Sequence, residues 1–205
     1  MIPDYWILAS TELSAGDPHM AELVQRYQGA SLASRGDPFC TLARSIVGQQ
    51  ISVKAADAVW TRFVAQLGEV TPARVGELGE SGLAGCGLSK RKIEYVNDLA
   101  QHFLCGQLDP AVWASLDDDA IIAELSAVRG IGRWTAEMFL IFNLMRPDVF
   151  PLDDIGLQRA VFVRYFQGEK QPRRVLAEFG ERWRPWRSVA TWYLWRSLDP
   201  VPVEY

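Results

Sequence analysis

VRGIGRWTAEMFLIFNLMRPDVFPLDDIGLQRAV, Val128 to Val161, is the stretch on which the fold turns. Gly130 and Gly132 flank one apolar residue, Ile131, and Arg133, Trp134, Thr135 and Ala136 then lead into a strongly apolar helical run. Glycine admits positive φ and lets another backbone approach where a Cβ would block it. The N–H groups that head a helix form an anion site, so a hairpin set against a helix start suits phosphate. Downstream, Leu152, Asp153 and Asp154 follow Pro151, break the apolar run and open a new helix, where one Asp can cap the helix while facing a cleft. Each piece has a plain alternative. A GIG triplet is often only a turn between helices, and an Asp before a helix is often only its cap.

Outward from this stretch the pattern is helical nearly throughout. Asp37 and Pro38 predict the N-cap and first residue of a helix reaching about Gln50. Ser52 predicts a cap for the next, to about Gln66, in which Val53, Ala56, Val59, Trp60 and Phe63 recur at helical spacing. Ser89 predicts a helix through about Phe103, and Asp117 one ending near Ser126. Further helices are expected over Gly132 to Met145, Asp154 to Phe166, Pro172 to Trp183 and Trp186 to Ser197. Long β-type alternation is absent outside the first dozen residues, and the glycine-rich stretch Leu78 to Gly87 reads as a mobile loop. The fold class is all-α.

With 205 residues, 49% of them hydrophobic, the chain can bury a sizeable core in one compact domain or two closely packed lobes. No apolar run approaches the ~18 residues of a membrane span, and the start lacks a basic region followed by a signal-like core, so a cytoplasmic protein without a membrane role is expected. Cys40, Cys86 and Cys105 are widely spaced, odd in number and without CxxC spacing, which argues against a disulfide framework or a zinc site and for buried, reduced packing residues. The net charge of −4 opposes nucleic-acid binding at first sight. Its distribution is uneven. Residues 1–125 carry 9 Lys+Arg against 16 Asp+Glu, residues 126–205 carry 12 against 9, and the positive excess lies with the hairpin and the carboxylate.

The combination resembles the helix-hairpin-helix DNA glycosylase superfamily of base-excision repair, and most closely its DNA-3-methyladenine glycosylase II branch. DPFCTLARSIVGQQISVKAA, Asp37 to Ala56, is similar to the family's N-terminal signature, GLSKRKIEYVNDLA, Gly87 to Ala100, to the segment leading to the hairpin, and RPWRSVATWYLW, Arg184 to Trp195, to its closing helix. The resemblance spans Asp37 to Trp195. It implies a two-lobed helical bundle with the active-site cleft between the lobes: a central lobe of about 37–150, and a second built from the N-terminal segment and about 155–205. It also implies a compact form without the N-terminal β-rich domain of some relatives and without an iron–sulfur cluster, since the four-cysteine loop is missing.

What the resemblance implies for the site follows residue by residue. Asp154, the second Asp of its apolar-Asp-Asp sequence, takes the place of the essential carboxylate. Beside C1′ it would stabilise the positive charge that builds as the base departs and would orient or deprotonate the attacking water. Asp153 is the structural alternative, bonding local backbone or Arg159. Members that also cut the backbone carry a lysine where this chain has Trp134, so a monofunctional, water-using enzyme is expected. Trp134 offers an electron-rich face to a cationic alkylated purine, and Trp195 matches the second stacking tryptophan. Trp192 is pocket or core, and Met138 and Ile155 stand where a relative has tyrosines.

Flipping a base out of the duplex leaves a gap to fill. Gln50 takes the wedge position, while Gln49 either shares it or ties the turn with amide hydrogen bonds. Gly130, Ile131, Gly132, Arg133 and Thr135 are the remaining candidates for DNA contact. Main-chain carbonyls of Ser126, Val128 and Ile131 match a monovalent cation site, Na or K, and no other cofactor is implied. The expected partner is double-stranded DNA containing damaged bases, met by a monomer. A glycosylase for deaminated or oxidised bases, and a non-catalytic helix-hairpin-helix module, are the competing readings.

Overall fold

The computed structural model describes residues 2–34 and 36–198, and among them there are helices and turns but no strand. Twelve α-helices follow one another. They are α1 (Trp6–Gly16), α2 (Pro18–Arg26), α3 (Pro38–Gly48), α4 (Val53–Leu67), α5 (Pro72–Leu83), α6 (Lys90–Leu104), α7 (Pro110–Trp113), α8 (Asp118–Ser126), α9 (Arg133–Phe142), α10 (Ile155–Tyr165), α11 (Arg173–Gly180) and α12 (Arg187–Leu198). Their starts are written in the sequence. Asp17, Asp37, Thr71 and Asp109 each accept a first-turn N–H and are each followed by proline, and Ser52, Ser89, Asp117 and Asp154 cap without it. Such a cap satisfies an otherwise orphaned donor and is worth about 1 kcal/mol.

The described residues divide into two compact units, one of 2–34 and 140–198, the other of 36–139, with the boundary falling inside α9. In the first unit α1, α2, α10 and α12 pack together around Trp6, Leu13, Leu23, Leu157, Val161 and Leu194. The buried Asp17 accepts hydrogen bonds from Tyr165 at 2.8 Å and from the Trp183 indole at 3.2 Å as well as capping α2. In the second unit α3, α4, α5 and α6 pack around Leu42, Ile46, Phe63, Val75, Val96 and Leu99. Edge-to-face rings join Phe39 to Phe103 and Trp113 to Phe139. Each fully buried Leu or Phe of these cores is worth about 2 kcal/mol relative to exposure.

Three expectations need correction. Within the first dozen residues the chain is helical from Trp6: α1 buries Trp6, Ala9, Ser10 and Leu13, a helical set hidden in the sequence by the exposed apolar Ile7 and Leu8. The stretch Leu78 to Gly87 is helix as far as Leu83, followed by a 3-10 turn, with its glycine content accommodated by a kink at Gly79 (φ 60°, ψ −168°). Of the three unbridged cysteines only Cys86 is buried, because Cys105 lies just beyond the end of α6 and is exposed.

Candidate active site

Asp154 stands at the N-cap of α10 with only 6% of its surface exposed. A buried carboxylate is tolerated only when donors compensate its lost hydration, and here two converge on one oxygen. Oδ1 accepts the Leu157 N–H at 2.6 Å and the Trp195 indole N–H at 2.8 Å. The first bond follows from the capping geometry. The second requires α12 to come close to α10, and Gly156 permits it: a Cβ there would lie 3.2 Å from Asp154 Oδ1 and 3.3 Å from Trp195 Cδ1. Sequence reading passed over Gly156, although a glycine inside the first turn of a helix costs propensity and calls for a packing reason. The Trp195 ring is stacked on Phe142 at 5.8 Å and 12°. A carboxylate fixed in this way can stabilise developing positive charge without reorganising.

The neighbours of Asp154 sort themselves by exposure. Asp153 pairs with Arg173 at the head of α11, at 3.1 Å, and not with Arg159, because it leaves the turn on the exposed side while Asp154 leaves it on the buried side. Ile155 is 79% exposed beside the carboxylate. Trp192, expected in pocket or core, is core: it is buried, meets Trp6 edge-on at 5.1 Å and carries the Arg196 guanidinium over its ring at 5.3 Å.

In the second unit the hairpin residues divide by role. Gly130 has φ 88°, and a Cβ on it would fall 2.1 Å from the Tyr95 ring, so glycine is required there by backbone and packing together. Gly132 has open space where its Cβ would be. Ile131 is buried and anchors the hairpin, its N–H donating to the Val128 carbonyl at 3.1 Å. The Gly132 carbonyl accepts the Ala136 N–H at 3.0 Å, which places the first-turn donors of α9 at the exposed end of the hairpin. Trp134 is half-buried in that first turn, whereas Thr135 and Met138 are buried.

Residues of α3 and α6 hold the hairpin. Gln49, the C-cap of α3, donates from Nε2 to the Gly130 carbonyl at 2.8 Å. Lys92 on α6 donates to the carbonyls of Val47 and Gln49, both at 2.7 Å, and burial pulls its ammonium below the ordinary lysine range. Asp98, two turns along α6, accepts the Arg129 N–H at 2.8 Å and pairs with its guanidinium at 3.1 Å. Gln50 is exposed and has φ 59°. Lys92 and Tyr95 were not singled out by sequence; their spacing along α6 places both on one helical face, which is the signal that identifies them.

Several arginines of the C-terminal part are engaged in ion pairs. Arg133 meets Glu137 and Asp119, Arg173 meets Asp153, Arg187 meets Asp148 and Glu181, Arg184 meets the same two carboxylates, and Arg174 meets Glu178. Among the described residues no group of three or more His, Cys, Asp or Glu could hold a metal ion, and no helix is long and apolar enough to cross a membrane.

Comparison with known proteins agrees with this architecture. The model of the HhH-GPD superfamily base excision DNA repair protein family matches residues 43–185. DNA-3-methyladenine glycosylase 1 of Schizosaccharomyces pombe is 30% identical over 182 residues, covering 87% of this chain and 80% of that protein. The crystal structure of a DNA-3-methyladenine glycosidase from Bacillus halodurans superposes with a TM-score of 0.85 at 34% identity, covering 93% of this chain and 89% of the other. A Schizosaccharomyces pombe 3-methyladenine DNA glycosylase in complex with abasic DNA superposes with a TM-score of 0.77 at 29% identity, covering 95% and 99%.

Proposed function

The chain belongs to the HhH-GPD superfamily of base excision DNA repair proteins, and on that footing we propose that it is a monofunctional glycosylase that flips alkylated bases, of 3-methyladenine and 7-methylguanine type, out of double-stranded DNA and excises them by hydrolysis. The observation that carries the reading is the buried Asp154 carboxylate, clamped at Oδ1 by Leu157 and Trp195. As the C1′–N bond lengthens, its electrons pass to the base and positive charge spreads over the deoxyribose. A carboxylate already oriented beside C1′ lowers the energy of that state more than that of the bound substrate. Water then adds to C1′, giving up a proton towards Asp154 or solvent and leaving an abasic site. An alkylated purine carries its own positive charge and departs neutral, which reduces the need for a general acid.

Trp134 has no amine, so no Schiff base can form at that position. Its indole face and that of Trp195 are suited to stacking on a cationic base. The first-turn donors of α9 and the open approach to Gly132 suit a phosphate, with Gln50 as the wedge. A monovalent cation on the carbonyls of Ser126, Val128 and Ile131 fits the hairpin through the second lone pair of the Val128 oxygen, whose first is taken by the Ile131 N–H; it would neutralise charge near that phosphate. The reaction as proposed consumes only water and DNA, by a monomer acting where its DNA lies, in the cytoplasm. A non-catalytic DNA-binding module would have no use for the clamp on Asp154.

The test is a panel of duplexes each carrying one modified base. Release of alkylated purines, with an intact abasic site and no borohydride-trapped adduct, is the expected result. Release confined to deaminated or oxidised bases, or a covalent adduct under reducing conditions, contradicts it.

A further inference from the structure

The turn between α3 and α4 is built to hold one residue in an unfavourable conformation. Gln50 has φ 59°, the left-handed region that side chains avoid, and it is exposed, so no packing of its own keeps it there. A conformation of this kind persists when the flanking chain is over-determined. On the N-terminal side, α3 ends at Gly48 with carbonyls that no longer have helical partners. The Lys92 ammonium takes two of them, Val47 and Gln49, each at 2.7 Å, and a cation is favoured at that end of the helix dipole. On the C-terminal side, Ser52 caps α4, its side chain accepting the Ala55 N–H and its carbonyl the Ala56 N–H.

The same helix that supplies Lys92 also grips the hairpin. Tyr95, one turn on, lies against Gly130, and Asp98 holds the Arg129 N–H and guanidinium. Gln49 closes the circuit by donating to the Gly130 carbonyl. One face of α6 therefore fixes both the turn that carries Gln50 and the hairpin that carries Gly132.

We infer that Lys92 and Gln49 are positioning residues for base flipping: they hold the turn that carries Gln50 at a fixed distance from the phosphate-side hairpin, so that wedge insertion and phosphate contact occur together. The inference rests on the glycosylase reading and concerns how that reaction reaches a base inside the helix.

The experiment compares single-turnover release of one alkylated purine from two substrates, a fully paired duplex and the same strand annealed so that the lesion and its two neighbours are unpaired. Lys92→Met keeps the aliphatic stem and removes the three donors. It is expected to slow release from the paired duplex by about ten- to a hundredfold, the scale of a misplaced positioning group, while release from the unpaired substrate changes by less than about threefold; Lys92→Arg should restore most of the difference. Gln49→Met should give the same signature from the other end of the bridge, which guards against a folding defect confined to one variant. Equal losses on both substrates, or no loss on the paired duplex, overturn the positioning role. Absence of alkylated-base release by the unmodified protein on either substrate would instead overturn the glycosylase reading, and the inference with it.

Discussion

The indole N–H of Trp195 donates to Oδ1 of Asp154 at 2.8 Å, so the orientation of the carboxylate is set from α12 as well as from the helix it caps. Trp195→Phe removes that donor and keeps an aromatic ring on Phe142. A hydrogen bond to a charged group is worth about 1.5–3 kcal/mol, and the expected result is base release slowed by about tenfold or more with DNA affinity little changed. Release at the unmodified rate would show that the bond from Trp195 is not needed to fix the carboxylate.

Asp154→Asn separates the cap from the charge. Asparagine caps as well as aspartate, and its amide oxygen can accept from both Leu157 and Trp195, so the melting temperature should move by no more than a few degrees. Loss of the charge should cost about a hundred- to a thousandfold in single-turnover release, the scale set by preorganised electrostatic groups. Lesion-DNA binding should survive. Asp153→Asn weakens an exposed pair with Arg173 and should leave turnover near normal.

The two hairpin glycines should behave oppositely. Gly130→Ala places a Cβ against Tyr95 at a residue with φ 88°, and should lower thermal stability along with DNA binding. Gly132→Val meets open space, and should keep the melting temperature while weakening binding to damaged and undamaged duplex alike, because a phosphate contact carries no base information. Unchanged affinity in Gly132→Val would reduce that end of the hairpin to a turn.

Asp98 makes the hairpin acid-sensitive. Burial pushes its carboxyl up, but the N–H and guanidinium of Arg129, with His102 beside them, pull it further down, and the net position is below the ordinary aspartate value. A carboxyl depressed on folding adds stability that is complete above its unfolded pKa of about 3.9 and is lost as the pH falls through the folded value. Asp98→Asn should therefore be less stable than the parent at neutral pH, with the difference shrinking below about pH 4. Denaturant melts across that range measure it; a constant gap would assign the loss to packing.

The capped helix starts were legible because an Asp or Ser before an apolar period has a local cause, and Asp37, Ser52, Ser89, Asp117 and Asp154 are all N-caps in the structure. The same signal at Asp17-Pro18, Thr71-Pro72 and Asp109-Pro110 was present and went unread, which is why α2, α5 and α7 were missed. Asp154 stands out in sequence by position, but the bond from Trp195 depends on two helices meeting at Gly156, and no local pattern reports that meeting. Likewise Gln49 reads as a paired amide, while its partner, the Gly130 carbonyl, is known only from the fold.

Arginines already paired with carboxylates, such as Arg133, Arg173 and Arg187, have less charge to offer to phosphates and displace fewer of the counterions condensed on DNA. If its DNA contacts are mostly the neutral N–H donors proposed above, the protein's affinity should depend only weakly on salt, well short of the slope of about −0.9 per phosphate expected when lysines and arginines do the neutralising. Its hold on undamaged DNA would then be weak over a wide range of ionic strength, and frequent detachment and return would dominate over long sliding. Residence at a lesion would come from the flipped base and the inserted turn, so that dwell time would follow damage more than charge.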